Sequence, residues 1–186
     1  ASSVKDATLH QPLTGEPALA RAALERIALA GARGGTNMAH GVRLAALELS
    51  GREGALSQPR AGARKVMLFL TDGKPSLPHG SPELDDPEDI EAAAAAARLA
   101  AEAGIAINVY GLGAEANDYP IAPLELTRAT GGVYQPVDLP GEIVAVFSGV
   151  SFANVDSVVA VNLTLGEMAE VGDIRLRPDG SFQGFV

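Results

Sequence analysis

Lys65-Val66-Met67-Leu68-Phe69-Leu70-Thr71-Asp72-Gly73 decides how this chain folds. An uncharged apolar run, Val66 to Leu70, stops at a threonine, an aspartate and a glycine. A run of that length without polar alternation reads as a strand buried on both faces, as in a parallel sheet covered by helices. Asp72 then stands at the carboxyl end of the strand, the end at which open α/β sheets bind ligands. A carboxylate there calls for a metal, a cation or a helix N-terminus. A second polar knot, Gly34-Gly35-Thr36-Asn37, lies upstream, just before a helical pattern. Together the two loops point to one site.

Working outward, Val4 to His10 alternates loosely and reads as a short edge strand. Thr14 and Pro17 open a helix with an apolar stripe at Leu19, Ala22, Ala23, Ile27 and Leu29, and Gly31 stops it. A second helix runs from about Asn37 to Leu49, with Met38, Val42, Ala45, Ala46 and Leu49 facing inward. After the 65–70 strand comes a proline-rich loop. Asp86-Pro87-Glu88-Asp89 then starts a helix that stops at Gly104. Ile105 to Tyr110 is a strand ending in the turn Gly111-Leu112-Gly113. Pro123 to Thr130 is a helix, Val133 to Val137 a strand, and Pro140 to about Val150 a helix.

This alternation predicts an α/β fold: a Rossmann-like, doubly wound, mostly parallel sheet with helices on both faces. The pattern changes after residue 152. Val155 to Leu165 reads as a strand with no helix after it. Asp173 to Leu176 and Phe182 to Val186, joined by Arg177-Pro178-Asp179-Gly180, read as a β-hairpin extension. The expected division is 1–152 for the α/β part and 153–186 for the beginning of a β-rich, Ig-like module. The start at Ala1 and the strand-like end at Phe182 to Val186 both read as cuts in a longer chain.

Composition narrows the function. The chain has 186 residues, is 47% hydrophobic and only 4% aromatic, so its core is built from aliphatic side chains. Its formal net charge of -9 argues against a nucleic-acid or anionic-membrane surface. The absence of cysteine excludes disulfides, zinc-thiolate sites and thiol catalysis. No apolar stretch is long enough to span a bilayer.

Each candidate residue carries a plain structural reading beside the chemical one. Thr36 is a metal ligand or a helix N-cap. Asp72 is a metal ligand or the organiser of its own turn. Lys74 neutralises Asp72, contacts a ligand or is simply solvated. Gly34 and Gly35 could form an anion-binding nest, but no lysine follows at P-loop spacing. Gly111-Leu112-Gly113-Ala114 lacks the third glycine of a dinucleotide fingerprint. The acidic group Glu83, Asp85, Asp86, Glu88, Asp89 and Glu91 lacks EF-hand spacing, and helix capping covers much of it. The three histidines follow no zinc spacing, and no serine sits in a nucleophile elbow. Asn162-Leu163-Thr164 is formally a glycosylation sequon.

The Gly-Gly-Thr-Asn loop, the Thr-Asp-Gly strand end and the β/α alternation make residues 1 to about 152 resemble a von Willebrand factor type A domain. In that family three loops assemble a magnesium site, the metal-ion-dependent adhesion site. The resemblance makes Thr36 and Asp72 the ligands from the second and third loops, with Gly35, Asn37, Gly73 and Lys74 in the ligand-binding loops. The Asp-x-Ser-x-Ser loop that would come first is nowhere in this sequence. By the same resemblance, the family's first, central strand lies before Ala1, and Ala1-Ser2-Ser3 is the end of its second.

The resemblance implies a non-enzymatic adhesion or protein-interaction module in which Mg2+ bridges to an acidic side chain of a partner protein. Magnesium favours hard oxygens and keeps several waters, so a carboxylate plus a hydroxyl suits it. Two ligands without the absent loop should hold it weakly. The implied location is secreted, periplasmic or cell-surface, with cytoplasmic as the alternative. Competing readings are an intracellular scaffold of an ATP-driven or metal-chelatase-like assembly, and a metal- or nucleotide-dependent enzyme, for which no catalytic group beyond Asp72 is visible.

Overall fold

The computed structural model describes residues 7–31, 35–79 and 86–143, and beyond these the backbone of four strands within residues 159–185. The chain divides into two units, Ala1–Asp138 and Leu139–Val186. The boundary expected at residue 152 falls outside the described residues.

The first unit is a Rossmann-like α/β arrangement. Its strands β1 (Lys65–Thr71), β2 (Ile105–Leu112) and β3 (Tyr134–Val137) are parallel and lie in the order β1-β2-β3. Register places Lys65 beside Ile105 and Thr71 beside Gly111. The loops that leave the carboxyl ends of β1 and β2 are therefore neighbours. β2 is two residues longer than the sequence implied, because Gly111 and Leu112 continue the ladder instead of turning.

Helices α1 (Pro17–Ala30), α2 (Met38–Ser50), α3 (Pro87–Glu102), α4 (Gly113–Asn117) and α5 (Ile121–Thr130) complete the unit. α3 packs between α2 and α5. Ala93, Ala96, Ala97 and Ala100, at i, i+3, i+4 and i+7, are fully buried, so one side of α3 carries only methyl groups and its neighbours come close. Asp86 caps α3 by accepting from the Glu88 N–H at 2.8 Å, and Pro87 takes the first helical position. Gly104, at φ 69°, ends the helix and feeds β2, a conformation that a side chain would resist.

The core forms between this helical layer and one face of the sheet. Val42, Ile105, Ile107, Val109 and Leu126 are fully buried, with Met38 and Met67 beside them. Removing each such side chain from water contributes roughly 1.5–3 kcal/mol. The inward face expected of α2 is correct: Met38, Val42 and Ala46 lie in this cluster, with Ala45 and Leu49 against it.

Four expectations need correction. β1 is not buried on both faces: Met67 and Phe69 join the core, whereas Leu68 and Leu70 are 38% and 46% exposed. Among the described residues, helices α2, α3 and α5 cover the Met67 face, and β1 pairs along one edge only. The stripe of α1 does not pack as a core face either. Ala23 is buried, but Leu19, Ile27 and Leu29 are exposed. Thr14 does not cap α1; the N-cap is Glu16, and the Thr14 hydroxyl accepts from the Glu16 N–H in a turn just before the helix. Residues 7–10 are not strand, and 4–6 lie outside the described residues. The Ala7 N–H donates to His40 Nδ1, which ties this stretch to α2.

The second unit opens with a 3-10 turn, Pro140–Glu142, at the start of the expected helix, whose continuation past residue 143 lies outside the described residues. Its strands form two antiparallel pairs. β4 (Val159–Asn162) pairs with β5 (Glu167–Glu170), and β6 (Gly172–Leu176) pairs with β7 (Phe182–Phe185). The second pair is the hairpin expected from the sequence. In the first pair, β4 lies within the strand expected over Val155 to Leu165, whereas β5 was missed, because Glu167-Met168-Ala169-Glu170 has little β-propensity.

Candidate strand-end cation site

The site is built where β1 and β2 end. Thr71, the last residue of β1, is buried, and its hydroxyl shapes the turn that follows. It donates to the Gly73 carbonyl at 2.8 Å and accepts from the Gly73 N–H at 3.3 Å. The turn-forming role assigned to Asp72 thus belongs to Thr71. Asp72 is exposed, and its carboxylate meets no hydrogen-bond or ion-pair partner among the described residues.

A parallel substitution occurs in the upstream loop. The N-cap of α2 is Asn37, whose side chain accepts from the His40 N–H at 2.9 Å. Thr36 is therefore not the cap. Its hydroxyl is without a hydrogen-bond partner among the described residues. Its backbone is held instead: the Thr36 N–H donates to Ser76 Oγ at 2.9 Å, and the Ser76 N–H donates to the Thr36 carbonyl at 3.0 Å. Gly35 permits this approach, because a Cβ there would stand 2.6 Å from Ser76 Oγ and 3.2 Å from the Leu77 side chain. Gly34 lies outside the described residues.

Gly73 is the meeting point. A Cβ placed on it would lie 3.7 Å from Thr36 Oγ1 and 3.4 Å from Glu115 Oε1. The Thr36 hydroxyl, the strand end that carries Asp72 and the Glu115 carboxylate therefore converge on one small volume. Glu115, which the sequence reading missed, sits in α4, directly after β2. Beside it, the Lys74 ammonium lies over the Tyr119 ring, 5.1 Å from its centroid.

α4 is held firmly against the sheet. Ala116 is buried and the Tyr134 hydroxyl, from β3, donates to Asn117 Oδ1. Gly111 lets Asn117 and Tyr134 sit tight against β2, since a Cβ there would stand 2.6 Å from the Tyr134 hydroxyl. Burial pushes the Tyr134 phenol above its usual pKa, so it stays protonated and remains the donor.

The residues present suit a hard divalent cation. They are the Thr36 hydroxyl and the Glu115 carboxylate beside Gly73, with Asp72 preceding that glycine in the chain, all hard oxygen donors. No group of three or more Asp, Glu, His or Cys that could hold a metal occurs among the described residues. The wider acidic group has other roles. Asp86 caps α3, buried Asp89 accepts from the His79 N–H at 2.8 Å, Glu88 lies 3.2 Å from His79 Nδ1, and Glu91 pairs with Arg98. Glu83 and Asp85 lie outside the described residues.

No protein-family model matches the chain, and no curated protein matches it. Among solved structures it is similar to the conserved hypothetical protein BatB from Bacteroides thetaiotaomicron, with a TM-score of 0.55 at 20% identity. The match covers 77% of this chain and 71% of that one. At that identity the likeness is one of fold, a distant relation between two α/β proteins. No helix among the described residues is long and apolar enough to cross a membrane.

Proposed function

We propose that this chain is a non-enzymatic protein-interaction module of the von Willebrand factor type A kind. Its strand-end site holds Mg2+ through Asp72 and Thr36 and presents the ion to an acidic side chain of a partner protein. One observation supports this above the others. The local tasks that would have occupied Thr36 and Asp72 are carried out by Asn37 and Thr71, so a hydroxyl and a carboxylate at the ligand-binding end of the sheet have no partner among the described residues.

When bound, the cation would supply a positive centre with exchangeable positions for a carboxylate. The chain's own contribution is positional. Ser76 fixes the Thr36 backbone, and Thr71 fixes the turn that carries Asp72. The group offers hard oxygen donors, which suits holding a cation.

Calorimetric titration with Mg2+ tests the site. The expected result is binding weaker than micromolar that is lost in Asp72→Ala. Micromolar or tighter binding, or binding that Asp72→Ala leaves unchanged, would overturn the assignment. Partner capture that survives both Asp72→Ala and EDTA would reject the metal bridge.

A further inference from the structure

We propose that Glu115 is a third oxygen donor to the cation at this site, an inference that rests on reading the strand-end group as a cation site. The site would then draw on three loops of this chain: Thr36 before α2, Asp72 after β1 and Glu115 after β2. Three observations carry the assignment.

The first is place. Glu115 Oε1 and Thr36 Oγ1 both come within 4 Å of the single point that a Gly73 Cβ would occupy. Parallel register makes this convergence, because Thr71 pairs with Gly111 and the segments leaving β1 and β2 run side by side.

The second is availability. Neither the Glu115 carboxylate nor the Thr36 hydroxyl has a hydrogen-bond or ion-pair partner among the described residues. Three other carboxylates on this unit are engaged, Glu48 by Ser57, Glu91 by Arg98 and Glu125 by Arg128, whereas Glu115 is left to the strand-end loops. The nearest cation in sequence to Asp72, Lys74, places its ammonium over the Tyr119 ring.

The third is rigidity. A ligand contributes most when its backbone is already in position. Buried Ala116 and the Asn117–Tyr134 hydrogen bond hold the residues on the far side of Glu115, while Gly113 joins α4 directly to β2.

Two carboxylates match the charge of a divalent cation. Glu115 therefore strengthens retention of the ion while lowering its pull on a partner's acid. That trade suits a weak, exchangeable interaction.

The test is titration of the folded chain with Mn2+, followed by the electron paramagnetic resonance signal of the free ion, with circular dichroism confirming the fold of each variant. Glu115→Gln and Asp72→Asn should each weaken Mn2+ binding by about ten- to a hundredfold. Glu102→Gln, at the far end of α3, should leave it unchanged. Glu115→Asp, which keeps the charge but shortens the reach, should fall between the parent chain and Glu115→Gln.

Unchanged affinity in Glu115→Gln with loss in Asp72→Asn overturns the role of Glu115 and leaves the cation site standing. Parent-like affinity in Glu115→Asp overturns direct ligation, because charge alone would then suffice. No Mn2+ binding by the parent chain well above millimolar concentration, or no effect of either carboxylate variant, overturns both the inference and the site.

Discussion

Thr36 and Ser76 clasp each other through two hydrogen bonds, 2.9 Å from the Thr36 N–H to Ser76 Oγ and 3.0 Å from the Ser76 N–H to the Thr36 carbonyl. The clasp bridges 40 residues of sequence. It fastens the loop before α2 to the loop after β1, the two segments that supply Thr36 and Asp72.

Ser76→Ala leaves the part-buried Thr36 N–H without an acceptor while sparing the opposite bond. Leaving such a donor unsatisfied costs about 1–3 kcal/mol. The expected outcome is a loss of unfolding free energy in that range by urea titration, together with weaker Mn2+ binding. A variant as stable as the parent would show that the clasp is incidental.

The uneven cover of β1 gives a paired prediction for two residues of the same strand. Met67 faces the helices and is 5% exposed, so Met67→Ala should cost about 2–5 kcal/mol through the cavity it leaves. Leu70, three residues on and on the opposite face, is 46% exposed. Leu70→Thr should change stability by about 0.5 kcal/mol or less. Chemical denaturation of both variants decides the matter. A Leu70→Thr penalty as large as that of Met67→Ala would mean that the outer face is covered in solution.

Glu48 makes the fold acid-sensitive. Its carboxylate accepts from the Ser57 hydroxyl and, at 3.1 Å, from the Leu56 N–H. The Leu13 N–H donates in turn to Ser57 Oγ at 2.8 Å. The Ser57 hydrogen bond is the main cause that lowers the Glu48 pKa below its usual 4.5, outweighing the opposing effect of burial. A carboxylate with a lowered folded-state pKa stabilises the fold in its ionised form. Its contribution is complete above the unfolded value and fades as pH falls through the folded value. Glu48→Gln should therefore melt below the parent at neutral pH, and the gap should close as pH drops below 4.5. A gap that is constant or widens on acidification would contradict this reading.

Much of the α/β unit was legible because its signals are local. Asp86-Pro87 starts α3, Gly104 and Gly131 end helices, and Val66 to Leu70 and Ile105 to Tyr110 read as strands by run length and residue type. Errors arose where a local signal had two uses. Thr36 and Asn37 are both good caps, and the backbone chose Asn37. Thr71 and Asp72 can both fold a turn, and the buried hydroxyl took that role. An apolar run specifies burial without stating from how many sides, so the exposure of Leu68 and Leu70 could not be read from it.

By itself, the sequence determined most of the helices and strands of the α/β unit, several of their ends, and that Asp72 stands at the carboxyl end of a strand. These follow from side-chain periodicity, capping and turn chemistry, which act within a few residues. Only the tertiary structure decided that the Thr36 and Glu115 side chains both border Gly73, that Ser76 holds the Thr36 loop, and that β1 is covered on its Met67 face. These depend on the parallel register of β1 with β2 and on the layer formed by α2, α3 and α5. Register and layer arise from packing between residues far apart in the chain, which leaves no period or motif in the sequence to read.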